Sequence, residues 1–277
     1  TYTVSATYLA DGSPAVLRYP AAGDLAKESV VFGYTADLGL PNDLSSLASN
    51  YVSSVQYTRF REVAVTTLSP NYPSGGNVVG PAVQTGITYD ETTRRVQRVL
   101  TTGSLLPGPV ADHHYTYDDA GNITKIADTP LGGQADTQCF QHDHLGRLTT
   151  AWTPGTGDCT PTPTNATLGG PAPYWQSWSY DAVGNRLQQI DHATTNGDAT
   201  TTYQVPAAGA SQPHTLLSTS RTDATGTTSG SYTYNVTGDT ITRPGSVAGT
   251  TQTLEWDSEG RLSRVTDGGA VTSKTVW

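Results

Sequence analysis

The sequence predicts an all-β fold of repeated antiparallel β-hairpins, and three observations predict it. First, an aromatic residue or histidine is followed four residues later by glycine, in the frame (Y/W/H)-(D/N)-x-x-G-(N/R) or a close relative. The copies are YDDAGN from Tyr117, HDHLGR from His142, YDAVGN from Tyr180, YNVTGD from Tyr234 and WDSEGR from Trp256. A motif copied along a chain encodes a structural unit, whereas catalytic groups are usually single. Second, aromatic and small polar residues alternate with period two before the motif, as a half-buried strand requires. Third, only 35% of residues are hydrophobic and 14% charged, while Thr, Gly, Ser and Pro abound. That composition suits strands and turns rather than long exposed helices.

Taken in order, residues 1–110 carry degenerate copies. YLADGS begins at Tyr8. FGYTADLGLP places Gly39 one position late after Tyr34. VQYTRFREV has Arg61 where glycine would follow Tyr57, and ITYDETTRRV has Thr93 at that place after Tyr89 and Asp90. Leu44 to Tyr51, behind Asn42 and Asp43, is the one stretch read as a short helix.

Residues 111–277 carry the well-formed copies, and WSYDAVGNRLQQID from Trp178 shows why each makes a hairpin. Trp178 and Tyr180 share one strand face. Asp181 accepts hydrogen bonds from backbone N–H groups ahead of it, Ala182 and Val183 form a type I turn, and Gly184 takes the left-handed conformation that closes a bulged hairpin. Leu187 and Ile190 lie on the returning strand. The same reading covers Tyr115/Tyr117 with Gly121, Phe140/His142 with Gly146, Tyr232/Tyr234 with Gly238, and Leu254/Trp256 with Gly260. Inserted loops are expected near 153–173 and 191–230, the second holding further strands around Tyr203 and Leu216. The anchors recur at roughly 20–40 residue intervals outside the insertions, as in repeat arrays. A lone hairpin is marginal in water, so neighbours must stack into a continuous sheet. Accumulated twist would curl that sheet into a spiral or hollow shell.

The formal charge is −9, with no Lys/Arg cluster to neutralise phosphates, so neither nucleic acid nor an anionic membrane is expected as partner. No apolar run reaches membrane-spanning length. There is no methionine, so Thr1 is read as part of a processed or excised piece. Cys139 and Cys159 bracket one hairpin; that geometry permits a disulfide without demanding it, the alternative being two buried thiols. The charge-poor, Thr/Gly-rich strands favour the bridge, which would add about 3 kcal/mol.

Candidate chemistry is sparse. His113, His114, His142 and His144 with Asp143 form the His-rich set, but a metal needs three or four converging ligands. The plainer reading makes His142 a packing residue and puts His144 in a turn. The second-position carboxylates Asp90, Asp118, Asp143, Asp181 and Asp257 recur at turns, with Asn235 in the same place, and are read as binding local backbone. No G-x-S-x-G or H-E-x-x-H pattern occurs, and no Ser/His/Asp arrangement stands out. The chain is therefore read as non-catalytic and free of cofactors. Trp152, Tyr174 and Trp175 flank the first inserted loop; they close the core beneath it or, alternatively, stack on sugar rings.

The segments YDDAGN, YDAVGN and WDSEGR resemble the RHS/YD-repeat family across essentially the whole chain. Asp136 to Asn185, and SYTYNVTGDTITRPG followed by TQTLEWDSEGRL, are similar to secreted actinobacterial members. The resemblance implies one YD-repeat array over 1–277, a long curved β-sheet forming part of a spiral cocoon, and a secreted or cell-surface bacterial location. Such cocoons surround a C-terminal toxic domain; insecticidal toxin-complex subunits and teneurin shells are relatives. The expected role is thus shell wall enclosing or displaying a toxin, with flanking repeats as partners; a carbohydrate-binding or adhesion module is the alternative. This chain departs from the pattern in lacking a DPxG-like self-cleavage segment, and it stops at Trp277 where another repeat is expected.

Overall fold

The structure is a computed structural model and describes residues 2–47, 49–69, 81–192 and 197–274. Trp277 lies outside the described residues. The chain divides into two compact units, Thr1–Gln138 and Cys139–Trp277.

In the first unit lie β1 (Ser5–Tyr8), β2 (Pro14–Tyr19), β3 (Glu28–Tyr34), β4 (Pro41–Ser45), β5 (Asn50–Val52), β6 (Ser54–Tyr57), β7 (Val63–Leu68), β8 (Val83–Tyr89), β9 (Val96–Gly103), β10 (Pro109–Tyr117) and β11 (Ile123–Asp128). Strand β12 (Asp136–His142) spans the division, and β13 (Leu148–Trp152), β14 (Trp175–Tyr180), β15 (Arg186–Asp191), β16 (Ala199–Gln204), β17 (Ser218–Asp223) and β18 (Gly226–Ser231) follow. The last five are β19 (Thr233–Tyr234), β20 (Thr240–Pro244), β21 (Thr251–Trp256), β22 (Leu262–Asp267) and β23 (Ala270–Lys274). All pair antiparallel in chain order: β1–β5 and β19–β23 form five-stranded sheets, and β6–β18 a 13-stranded sheet that is not closed into a barrel.

The fold follows from one local device used nine times. At Tyr8, Tyr34, Tyr57, Tyr89, Tyr117, His142, Tyr180, Tyr234 and Trp256 the pairing register shifts immediately before the anchor residue. Each anchor is followed by a left-handed residue: Gly12, Gly39, Arg61, Arg94, Gly121, Gly146, Gly184, Gly238 or Gly260. Bulge and left-handed residue together match the hairpin to the right-handed twist of its strands. Among the described residues Arg61 (φ 66°) and Arg94 (φ 59°) are the only non-glycines in this conformation. In the Tyr89 copy the left-handed residue is therefore Arg94, one place beyond Thr93, as Gly39 is one place late after Tyr34.

Three expectations need correction. Leu44 to Tyr51 is not helical. Leu44 belongs to β4, opposite Phe32 on β3 and Val52 on β5. The Ser46 hydroxyl accepts from the Ser49 N–H at 3.2 Å, and Ser46 N–H donates to Ser49 O at 2.7 Å. That local bonding offers the backbone an alternative to helix; residue 48 lies outside the described residues. In the second insertion Tyr203 does sit in β16, but Leu216 precedes β17 rather than lying in it. Finally, stacking of the hairpins buries the anchor rings only in part: those from Tyr34 to Trp256 are half-buried and Tyr8 is exposed. The fully buried apolar residues among those described are Cys139, Ala151, Trp152, Ala199, Leu254 and Val265, all in the second unit.

Candidate functional site

In the well-formed copies each turn is closed by its second residue. The Asp181 Oδ1 accepts from Val183 N at 3.0 Å and Asn185 N at 2.8 Å. Asp143 Oδ1 does so from Leu145 and Arg147, and Asp257 Oδ1 from Glu259 and Arg261. Asn235 Oδ1 accepts from Thr237 and Asp239 N–H in the same way. A carboxylate accepting such bonds is favoured in its charged form. The Arg147 N–H and the Arg261 N–H accordingly hold the carboxyls of Asp143 and Asp257 below the usual range.

The anchor side chain then fastens its hairpin to the one before. Tyr34 donates its hydroxyl proton to Pro14 O at 2.7 Å, Tyr57 to Pro41 O, Tyr89 to Val63 O at 2.8 Å and Tyr117 to Val96 O at 2.7 Å. In the second unit Tyr180 donates to Leu148 O at 2.8 Å, Tyr234 to Leu216 O at 3.0 Å, and the Trp256 indole N–H to Thr240 O at 2.8 Å. Pro14, Pro41, Val63, Val96, Leu148 and Thr240 each open the returning strand of the preceding hairpin, so one half-buried ring spans the gap and satisfies one carbonyl. His142 cannot reach equally far, and its Nδ1 is buried without a hydrogen-bond partner among the described residues.

Arginine adds a second fastening. The Arg95 guanidinium lies 5.6 Å from the Tyr117 ring centroid and donates to Asp118 O at 3.2 Å; Arg147 lies 5.0 Å from the Tyr180 centroid and donates to Asp181 O at 2.8 Å. Both follow a left-handed residue and reach the next hairpin's anchor. Cation–π attraction and a charge-assisted hydrogen bond act together there. No sequence pattern within one motif could have found this, because the partners are 23 and 34 residues apart.

The other singled-out residues separate. His114 Nε2 is 3.0 Å from Asp112 Oδ1, and His113 Nε2 is 3.5 Å from Asp128 Oδ2. Asp112 also takes a two-pronged hydrogen bond from Arg98 at 2.6 and 2.8 Å, which holds its carboxyl low. His144 is exposed in its turn. No group of three or more His, Cys, Asp or Glu among the described residues could hold a metal. Cys139 and Cys159 form a disulfide with Cα atoms 5.5 Å apart.

Around that bridge Trp152 is only 2% exposed and lies opposite Cys139 on β12 and Trp175 on β14. This corrects its place among the candidate sugar-stacking residues: a buried ring has no face to offer. Tyr174 is tied to the buried Thr153, its N–H donating to Thr153 Oγ1 at 3.0 Å. Trp175 stacks on His192, with centroids 3.7 Å apart. The three aromatics close the base of the inserted loop.

One set escaped the sequence altogether. Ser177 Oγ is 2.9 Å from His192 Nε2, and His192 Nδ1 is 3.0 Å from Asp198 Oδ2. A Ser/His/Asp line therefore exists where the sequence offered no motif; only the register of β14 against β15 brings the first two together.

No protein-family model matches the chain, and no curated protein matches it. Solved structures do match. A chain of the crystal structure of TcdB2-TccC3-Cdc42 is 18% identical with a TM-score of 0.62, over 96% of this chain and 12% of that one. A chain of TcdB2-TccC3 without its hypervariable C-terminal region is 15% identical with a TM-score of 0.55, over 99% of this chain and 15% of that one. A third, from TcdB2-TccC3, is 17% identical with a TM-score of 0.54 and covers 15% of its own length. The chain thus has the fold of these toxin-complex chains and spans a small part of each.

Proposed function

We propose that this chain is a stretch of RHS-repeat shell wall in a secreted or cell-surface bacterial protein, and that the wall encloses or displays a C-terminal toxin or effector carried by the same parent protein. The observation that carries the reading is the recurrent fastening of a hairpin to its predecessor by one aromatic side chain, from Tyr34, Tyr57, Tyr89, Tyr117, Tyr180, Tyr234 and Trp256, in a fold shared with toxin-complex chains. Such a ladder extends by adding hairpins, and its exposed end strands suit pairing with flanking repeats. The role is steric: the wall keeps a cargo from proteases and targets and asks no reaction or cofactor of the chain. The disulfide fits an oxidising, extracytoplasmic setting. The carbohydrate-binding alternative is weakened by the burial of Trp152.

Limited proteolysis of the parent protein tests this. The segment C-terminal to the repeats should survive at protease doses that digest it when it is expressed alone. Equal digestion in both settings would remove the enclosing role.

A further inference from the structure

Strand pairing alone sets up the arrangement. His192 directly follows β15, and its N–H donates to Trp175 O at 2.9 Å. Trp175 and Ser177 are two residues apart on β14 and so project from the same face. The His192 ring lies flat against Trp175, with an interplanar angle of 20°, which fixes the imidazole beside the Ser177 hydroxyl. The far nitrogen faces Asp198, just ahead of β16. The imidazole is largely covered, with 13% of its side chain exposed, whereas Asp198 is 47% exposed.

The chemistry of the partners assigns the protons. A carboxylate only accepts, so His192 Nδ1 carries the proton and donates to Asp198. In the neutral imidazole Nε2 is then an acceptor, and the Ser177 hydroxyl donates to it. Nucleophile, base and orienting carboxylate thus stand in the order that serine acyl transfer needs. A further donor stands on the same face: the Trp175 indole N–H is buried with no acceptor among the described residues. A buried donor without a protein partner is free to serve a water or a developing oxyanion.

We propose that Ser177, His192 and Asp198 form a hydrolytic site for carboxylic esters, a role beyond the steric one and independent of it. Ser177 Oγ attacks the ester carbonyl carbon while its proton passes to His192 Nε2. The imidazolium returns that proton to the departing alkoxide, giving an alcohol and an acyl-serine. Water attacks the acyl carbon, its proton passing to Nε2, and the second collapse gives the carboxylic acid and restores Ser177. Asp198 acts through His192 as a positioning residue. An ester suits the site because the imidazolium alone suffices to protonate its leaving oxygen.

The test is labelling of the whole 277-residue chain with a fluorophosphonate probe, with the adduct located by mass spectrometry, beside hydrolysis of p-nitrophenyl acetate. The expected result is a single adduct on Ser177, absent in S177A and slowed by about 10⁴-fold or more in H192Q, the loss expected when one member of such a triad is removed. D198N alters an exposed side chain and keeps the fold. It should slow labelling, because the imidazole loses the carboxylate that orients it; D198E should restore part of the rate. Absence of an adduct at Ser177 on folded protein would overturn the proposal. So would an adduct formed equally fast in D198N and in D198E, which would reveal only an exposed hydroxyl.

Discussion

The hairpins at Tyr89 and at Tyr180 make the same reversal with different means. At Tyr180 the left-handed place belongs to Gly184, φ 95°, which adopts it without steric cost. At Tyr89 it belongs to Arg94, whose conformation an L-residue resists by about 1–2 kcal/mol. What holds Arg94 there is its side chain. The guanidinium pairs with Glu62 and lies 4.4 Å from the Phe60 ring centroid and 5.5 Å from that of Tyr89. That pairing raises the Arg94 guanidinium's affinity for its proton and lowers the Glu62 carboxyl. The Tyr89 copy is therefore not a failed copy: contacts of Arg94 to the neighbouring hairpin replace the freedom of glycine. The two units differ likewise. All the buried apolar residues among those described lie in the second, around a disulfide, at the start of β16 and in the last sheet, whereas the first relies on half-buried rings, hydrogen bonds and ion pairs.

The largest expected effect probes that difference. Trp152→Ala should cost about 3–5 kcal/mol, as for other buried aromatics cut to alanine, while Val65→Ala in the half-buried β7 should cost no more than about 1 kcal/mol, since little of its area is withdrawn from water. Urea denaturation read by circular dichroism checks both; equal losses would erase the contrast. Next, reducing the Cys139–Cys159 bridge should lower stability by about 3 kcal/mol, the size expected for a loop this short. Melting with and without reductant measures it, and an unchanged melt contradicts it.

The glycine comparison sharpens at single turns. Gly184→Val should cost about 1–3 kcal/mol, because a β-branched residue is strained at positive φ. Arg61→Gly should instead stabilise by about 1 kcal/mol, since among the described residues no hydrogen bond, ion pair or ring contact repays its conformation as Glu62 and Phe60 repay that of Arg94. A loss on Arg61→Gly would mean its side chain matters after all. The smallest effect concerns pH. Asp143 and Asp257 have lowered carboxyl pKa values in the fold, so their stabilisation is full above the ordinary carboxylate range and is lost as pH falls through the lowered values. Asp143→Asn and Asp257→Asn should flatten the fall of the melting temperature between neutral and acid pH; an unchanged slope would count against the turn bonds.

Much of the fold was legible because the turn is a local event. Asp181, Gly184 and Asn185 lie within five positions, so their hydrogen bonds and the required φ are written in adjacent letters. The Tyr89 copy was placed one residue off because nothing local says that Arg94, rather than Thr93, takes the left-handed place; Glu62 and Phe60 decide it. The Leu44 segment misled for a related reason. Its apolar spacing allows a helix, and only pairing with Phe32 and Val52 makes it a strand. Trp152 and Trp175 could not be told apart as ligands or core, since burial depends on what the inserted loop folds over.

What the sequence determined by itself was the repeating reversal and its antiparallel, all-β consequence, because those rest on backbone sterics and hydrogen bonds between neighbours in the chain. What only the tertiary structure decided was which carbonyl each tyrosine meets, which ring each arginine covers, and that Ser177, His192 and Asp198 converge. Those contacts are fixed by strand register, and register is set where separate hairpins pack together, beyond the reach of any single motif.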